Sequence, residues 1–393
     1  MINKNKDRGI TLVALVITII ILLILATISI QSLTNTGLFK NAQKAKDETQ
    51  NAAENQAKTL NEYEDELNKY ISGTVEERKD PIKEVANKVL STTDNTELQD
   101  AYGNKIVVPA GFKIVSDSTT SNATTVDKGI VIEDATTGAT AGSQFVWIPV
   151  GKIYTDVAKT DANAKTIELG RYSFDYSTGL ESAYSGSYVE EDANDESTLT
   201  NTENKAIAKN ITNFKNSVTS NGGYYIGRYE ARTTTERSSE DDTLTQITEK
   251  GTNPVYNYVT QIQAAEQAQN MYNSSKFTSD LMNSYAWDTA TLFLQTCGTN
   301  SKYSRQTKVS SALSQTGTNT QSTKDVQCNV YDMASNTREW TTETYDNSDI
   351  PCVKRGGSYN GSISYTSNRF NNNPSNSYDS IGFRPLLFVG LNS

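Results

Sequence analysis

The chain contains no histidine, which removes every His-based catalytic triad and every His-ligated metal site at once. Cysteine is scarce as well. Cys297, Cys328 and Cys352 are too few and too oddly numbered for a disulfide framework. An extracytoplasmic setting permits one bridge, for which Cys328 with Cys352 is the expectation and three reduced thiols the alternative. Positive charge is in deficit, with 36 Lys+Arg against 46 Asp+Glu and a net charge of -10. That balance argues against nucleic acid, whose phosphates call for a basic face. Tyrosine is plentiful, at 21 of 393 residues, and 36% of the chain is hydrophobic, enough for one large or two modest domains.

Charge is also missing from Ile10 to Ile30, a run preceded by Lys4, Lys6, Arg8 and Gly9. Its length suits a membrane-spanning helix, with the basic residues on the cytoplasmic side and the rest of the chain outside. The run is longer than the apolar core of a cleaved signal peptide and has no A-x-A pattern at its end. Gly9 directly before ITLVALV resembles a type IV prepilin leader. The resemblance implies cleavage after Gly9 by a prepilin peptidase, Ile10 as the mature N-terminus, and a helix that serves first as anchor and then packs with other pilin subunits. The family usually has Glu as the fifth mature residue, and this chain has Ala14. Ala14 weakens a repeating-shaft reading and leaves a minor or tip subunit. Residues 1–9 are thus read as a leader and 10–72 as one hydrophobic, then amphipathic, helix, with Leu33, Ala42, Ala53, Leu60, Leu67 and Ile71 at broadly helical spacing. A plain stalk or short coiled coil fits the same pattern.

Residues 73–100 read as a linker with one short helix after Pro81, and 101–393 as the head. Short runs rich in Val, Ile and aromatics, at 105–108, 112–115, 129–133 and 144–150, predict strands of one sheet, and GYYIGRYE at 223–230 predicts a buried strand. Between them, 152–216 is polar and reads as a surface insertion ending in a helix over 203–217. Its carboxylates suit calcium in type, yet no D-x-[DN]-x-[DN]-G loop with a closing Glu is present, so a solvated loop is expected. A structural calcium is the one cofactor left open. Apolar spacing predicts further helices over 260–272 and 284–294. The fold class is α+β.

The C-terminal third carries a second resemblance. NVYDMASNTREWT at 329–341, RGGS at 355–358 and IGFR at 381–384, together with GYYIGRYE and SYAWDTATLFL, resemble the formylglycine-generating, or sulfatase-modifying-factor, version of the C-type-lectin fold. From the residues themselves, Asn336, Glu339, Trp340, Arg355, Gly356, Gly357, Gly382 and Arg384 read as scaffold: Trp340 as core filler, the glycines as turn or close-approach positions, the arginines as bidentate partners of carboxylates or carbonyls. The resemblance implies, for its catalytic members, paired cysteines close to the final GFR. Residues 368–384 contain no cysteine, so the thiol chemistry lacks its nucleophile and an enzyme is not expected.

That same stretch is instead crowded with Tyr359, Asn360, Ser362, Ser364, Tyr365, Asn368, Asn371, Asn372, Asn373, Ser375, Asn376, Ser377, Tyr378 and Asp379. Tyr offers large contact area at low entropic cost, and Asn and Ser supply adaptable hydrogen bonds, as in antibody loops. An ordinary Asn-rich turn has the same composition. The placement resembles the variable proteins of diversity-generating retroelements, which implies a diversified ligand-binding surface at these residues. The expectation is a non-enzymatic binding protein at the cell surface that contacts an extracellular protein or glycan through these residues. The rival readings are a purely structural minor pilin or pseudopilin and, third, a membrane-anchored enzyme.

Overall fold

The computed structural model describes residues 12–35, 80–117, 123–191, 205–209, 211–240, 253–313, 325–361 and 363–390, with isolated positions at 44–63, 120 and 247–248. Two compact units divide at Arg78.

In the first unit, helix α1 (Leu12–Asn35) has no acidic residue in its first turn and no basic residue in its last. Its side chains at 15–29 are exposed, Leu22 and Leu23 by 60% and 63%. Among the described residues no helix is long and apolar enough to cross a membrane, so the span expected over Ile10 to Ile30 is not shown. Nor is one continuous helix over 10–72, because helical residues after α1 are described only in fragments, at 44–46, 48–53 and scattered positions to 63. Gly9 and Ile10 lie outside the described residues.

The second unit is built on two sheets. Its six-stranded antiparallel sheet has the order β6 (Phe277–Leu281), β11 (Pro385–Val389), β5 (Gly223–Gly227), β3 (Gln144–Pro149), β2 (Val131–Asp134), β1 (Phe112–Ile114). Strands β5 and β11 are buried at every position, as their unbroken apolar and aromatic sequences require. The last described strand, β11, is thus an interior strand of this sheet, next to its β6 edge. The second sheet runs β4 (Tyr188–Glu190), β7 (Arg338–Tyr345), β8 (Cys352–Arg355), β9 (Arg369–Asn372), with β10 (Ile381–Phe383) parallel to β7.

Helix α2 (Pro81–Val85) begins at Asp80, whose carboxylate accepts from the Ile82 and Lys83 amides. Helix α3 (Ile211–Asn221) packs on β5 and β11. Helix α4 (Gln261–Met271) opens with a capping box between Thr260 and Gln263 and packs on β6 and β7. Helix α5 (Ser284–Cys297), capped by Asn283, bridges β3 of one sheet and β7 of the other. Trp147, Trp287 and Trp340 are fully buried among these layers. Truncating any of the three to Ala would cost about 3–5 kcal/mol.

Four expectations need correction. Residues 105–108 form a strand, but it pairs only with Thr96–Gln99 in a separate ribbon, not with the main sheet. The stretch expected as linker is part of the head from residue 80 on, since Ile82 is buried in the core and Thr96–Gln99 is a strand. The polar insertion at 152–216 is more than a solvated loop. It forms two hairpins that bury Ile153 and Ile167 and contributes β4 to the second sheet. Its helix starts at Ile211, later than the expected 203. The Cys328–Cys352 bridge is absent: all three cysteines are free, the Cys352 thiol facing Gln261 Oε1 at 3.4 Å and the Cys328 thiol facing the Asp127 carbonyl at 3.6 Å.

Candidate binding face of the second sheet

Strands β7, β8 and β9 place Glu339, Arg355 and Arg369 in one cross-strand row and Trp340, Lys354 and Phe370 in the next. Successive side chains point to opposite faces of a pleated sheet, so the two rows look in opposite directions.

The inward row is held by ion pairs. Arg355 bonds Asp288 of α5 and Glu343 of β7, the latter at 3.2 Å. Arg369 bonds the same Asp288 and reaches Glu343 at 2.8 Å, and Arg171 reaches Glu343 at 2.6 Å. Three guanidinium groups thus share two carboxylates whose side chains have no exposed area. Such a network fixes geometry more than it adds stability, because desolvation offsets most of the Coulomb gain while loss of one member strands the others. A second network lies nearby. Arg384 grips Glu339 with Nε and Nη2 at 3.0 and 2.7 Å and donates to the carbonyls of Gly227 and Tyr331. Asn336, at a φ of 57°, and Thr337 both donate to Glu230. Burial pushes the Glu339 carboxyl up to about 7. Gly356 has a φ of 76°, and a Cβ there or at Gly357 would strike the carbonyls of Met333 or Ala334; at Gly382 it would sit 2.7 Å from Thr337 Oγ1. Trp340 is buried and donates to the Val259 carbonyl. These eight scaffold positions hold the RGGS and IGFR segments against β7.

The opposite row, outward at its half-buried Lys354 and Phe370 although its Trp340 is fully buried, is unlike it. The Arg338 guanidinium lies 4.5 Å from the centroid of the Phe370 ring, and the Lys354 ammonium 5.9 Å from that of Trp340. Arg338 Nη2 donates to Ser364 Oγ at 3.0 Å, and its buried Nε has no partner among the described residues. Burial, then repulsion by Arg338, depresses the Lys354 ammonium to about 8. Neither cation has a carboxylate within ion-pair distance among the described residues.

The Tyr- and Asn-rich segment borders this row. Its two ends are tied where the Tyr359 hydroxyl donates to Asp379, which pushes the Tyr359 phenol up to about 12. Tyr365 and Tyr176 enclose the Arg305 guanidinium, at 3.4 and 3.9 Å from the ring centroids, and their hydroxyls bond at 2.9 Å. Asn372, Asn373, Ser375 and Asn376 bond one another, and Asn373 also reaches the Asp349 carbonyl. Ser377 donates to Glu240, and Ser364 is buried. Asn368 and Asn371 are half-buried, and Ser362 lies outside the described residues. Asn360, Ser375 and Tyr378 are exposed, as is Ile363 at 73%. Several of the predicted binding residues therefore build the loop rather than face solvent.

The sequence reading missed Arg338, Lys354, Phe370, Ile363, Arg305 and Tyr176. Phe370 and Ile363 lay within the chosen segment but outside its Tyr/Asn/Ser composition. The others come from distant stretches that only the register brings together. Cys352 is buried on β8, where burial pushes its thiol up to about 12, the opposite of what a nucleophile needs. Among the described residues no cluster of three or more Cys, Asp and Glu side chains is arranged to hold a metal ion. Two clefts in the head, one lined by Lys209, Asn213, Asn273 and Asp280 and one by Val89, Thr136 and Phe277, include no residue of 359–379.

Among solved structures, Treponema denticola variable protein 1 is similar at 14% identity and a TM-score of 0.34, over 64% of this chain and 98% of that one. The CarF crystal structure is similar at 23% identity and a TM-score of 0.21, over 28% of this chain and 47% of that one. No curated protein matches the chain. The model of the sulfatase-modifying factor enzyme 1-like domain matches residues 133–387, a span that takes in both sheets from β3 onward and every residue of the two networks, and the chain belongs to that family.

Proposed function

We propose that the head is a non-enzymatic binding module whose ligand-contacting surface is the 359–379 segment with the adjoining outward row of the second sheet. One observation carries this reading. The segment is pinned from below by buried ion pairs and closed at its ends by Tyr359 and Asp379, yet it turns Asn360, Ile363, Ser375 and Tyr378 to solvent. A pre-ordered loop with exposed Tyr, Asn and Ser side chains loses little entropy on binding. The family's oxidative chemistry finds no cysteine in residues 368–384.

The finer reading is a minor pilin or tip adhesin displayed at the cell surface. Its support is the uncharged run from Ile10 to Ile30 after Gly9, and the exposed apolar side chains of α1, which need a lipid or protein cover. An N-methylated Ile10 in the mature protein, read by mass spectrometry, is the expected result, and an intact Met1 would leave only a simple anchor. Diversification by a retroelement is part of the same proposal, and a near-repeat of the final coding segment that differs mainly at adenines, beside a reverse transcriptase, would be its genomic mark.

The binding role is tested by replacing Asn360, Ile363, Ser375 and Tyr378 together with Ala in the full chain. Adhesion of cells that display the variant should be lost while the melting midpoint stays within about 2 °C, since exposed positions contribute little to stability. Unchanged adhesion would place the site elsewhere.

A further inference from the structure

Arg338, stacked on Phe370, and Lys354, the cross-strand partner of Phe370, share one face of the sheet in a chain that carries ten more acidic than basic residues. Two adjacent like charges raise the free energy of the folded state. Elsewhere in the same sheet that cost is met from within, because Arg171, Arg355 and Arg369 all reach Asp288 or Glu343. On the outward row the described residues offer no carboxylate, and the Arg338 Nε is buried without a partner. The groups facing Lys354 are Arg338 and Trp340 from β7 and Phe370 from β9. Phe370 lies under Arg338, and Ile363, 73% exposed, is the chain neighbour of Ser364, which Arg338 bonds.

We infer that this face receives an acidic protein segment, with a carboxylate seated between Arg338 and Lys354 and a neighbouring apolar side chain packed on Ile363 and Phe370. The guanidinium fork and a nearby ammonium match a carboxylate in geometry and charge. A cation over an aromatic ring, with an exposed aliphatic residue one position along the chain from the serine it bonds, has the composition of a protein–protein hot spot. A carboxylated glycan would satisfy the cations but would leave Ile363 without an apolar counterpart. The inference rests on the binding role proposed for the 359–379 segment and names the chemistry of its ligand.

The test uses the full-length chain in detergent micelles and a fluorescent peptide of alternating Glu and Leu, read by anisotropy at low salt. The peptide should bind, its Gln-for-Glu analogue should not, and Arg338→Gln or Lys354→Gln should each weaken binding about tenfold. The charge-conserving variants Arg338→Lys and Lys354→Arg should retain most of it, which separates charge from folding. Polygalacturonate forms the second arm. Binding of that polymer without binding of the peptide would overturn the protein ligand in favour of a glycan. Adhesion lost on Ala replacement of Asn360, Ile363, Ser375 and Tyr378 but kept by Arg338→Gln/Lys354→Gln would overturn the acidic-ligand inference and leave the binding face standing. Adhesion kept by both sets of variants would overturn both.

Discussion

The two faces of the β7–β8–β9 sheet spend their cations in opposite ways. Inward, Arg355 and Arg369 are held by Asp288 and Glu343 without exposed area on either carboxylate. Outward, one residue away on the same strands, Lys354 and Arg338 meet aromatic rings and each other. The sheet is the same and both faces carry cations near aromatic rings, so what differs is the supply of carboxylates. A fold that pairs its arginines when they serve architecture, and leaves them unpaired at a surface, separates holding from contacting within a single pleat.

The largest way to break that comparison is Asp288→Ala. It would leave Arg355, Arg369 and Arg171 to share the single buried carboxylate of Glu343 and should cost about 3–5 kcal/mol of stability, read by chemical denaturation of the head transition. A loss under about 1 kcal/mol would mean that the inward network is dispensable. Arg338→Gln should do the reverse, with stability held to within about 1 kcal/mol and binding of the Glu–Leu peptide down about tenfold.

A third effect is the dependence of stability on pH. Glu190, on β4, is pushed up to about 7 by burial despite bonds from Thr342 and the Ser284 amide, and Asp280, on β6, is pushed up to about 6 by burial. Both hold their protons in the folded state at pH values where the unfolded chain has released them. The folded state therefore binds more protons between the ordinary carboxylate range and pH 6 to 7, and stability should fall as pH rises through that window. Glu190→Gln should flatten the melting-midpoint profile between pH 5 and 8, and an unchanged slope would remove Glu190 from the account. A smaller effect separates the outward face. With the Lys354 ammonium depressed to about 8, and only Arg338, Trp340 and Phe370 facing it among the described residues, peptide affinity should decline between pH 7 and 9. Lys354→Arg should abolish the decline, as measured by anisotropy across that range.

The sequence made the core elements legible where apolar spacing was unbroken. The expected helices over 260–272 and 284–294 correspond to α4 and α5, and the expected strands at 144–150 and 223–230 to β3 and β5. It misjudged pieces whose role depends on a distant partner. Residues 105–108 have the texture of a main-sheet strand and pair instead with 96–99. In the polar 152–216 stretch the burial of Ile153 and Ile167 was not legible, because short hairpins expose most of their side chains and give a weak pattern. The binding face was half legible. Composition singled out the Tyr- and Asn-rich segment, but the inward and outward roles of Arg355 and Lys354 depend on register, which is set by pairing across strands. Composition also cannot tell a contacting Asn from one that builds a turn, as Asn372 and Asn373 do.

The most direct measurement is the adhesion and the melting midpoint of the full-length Arg338→Gln/Lys354→Gln double variant recorded on the same preparation. The division between holding and contacting predicts adhesion lost and a midpoint within about 3 °C of the parent chain. Adhesion retained, or a midpoint that falls as far as that of Asp288→Ala, would contradict it.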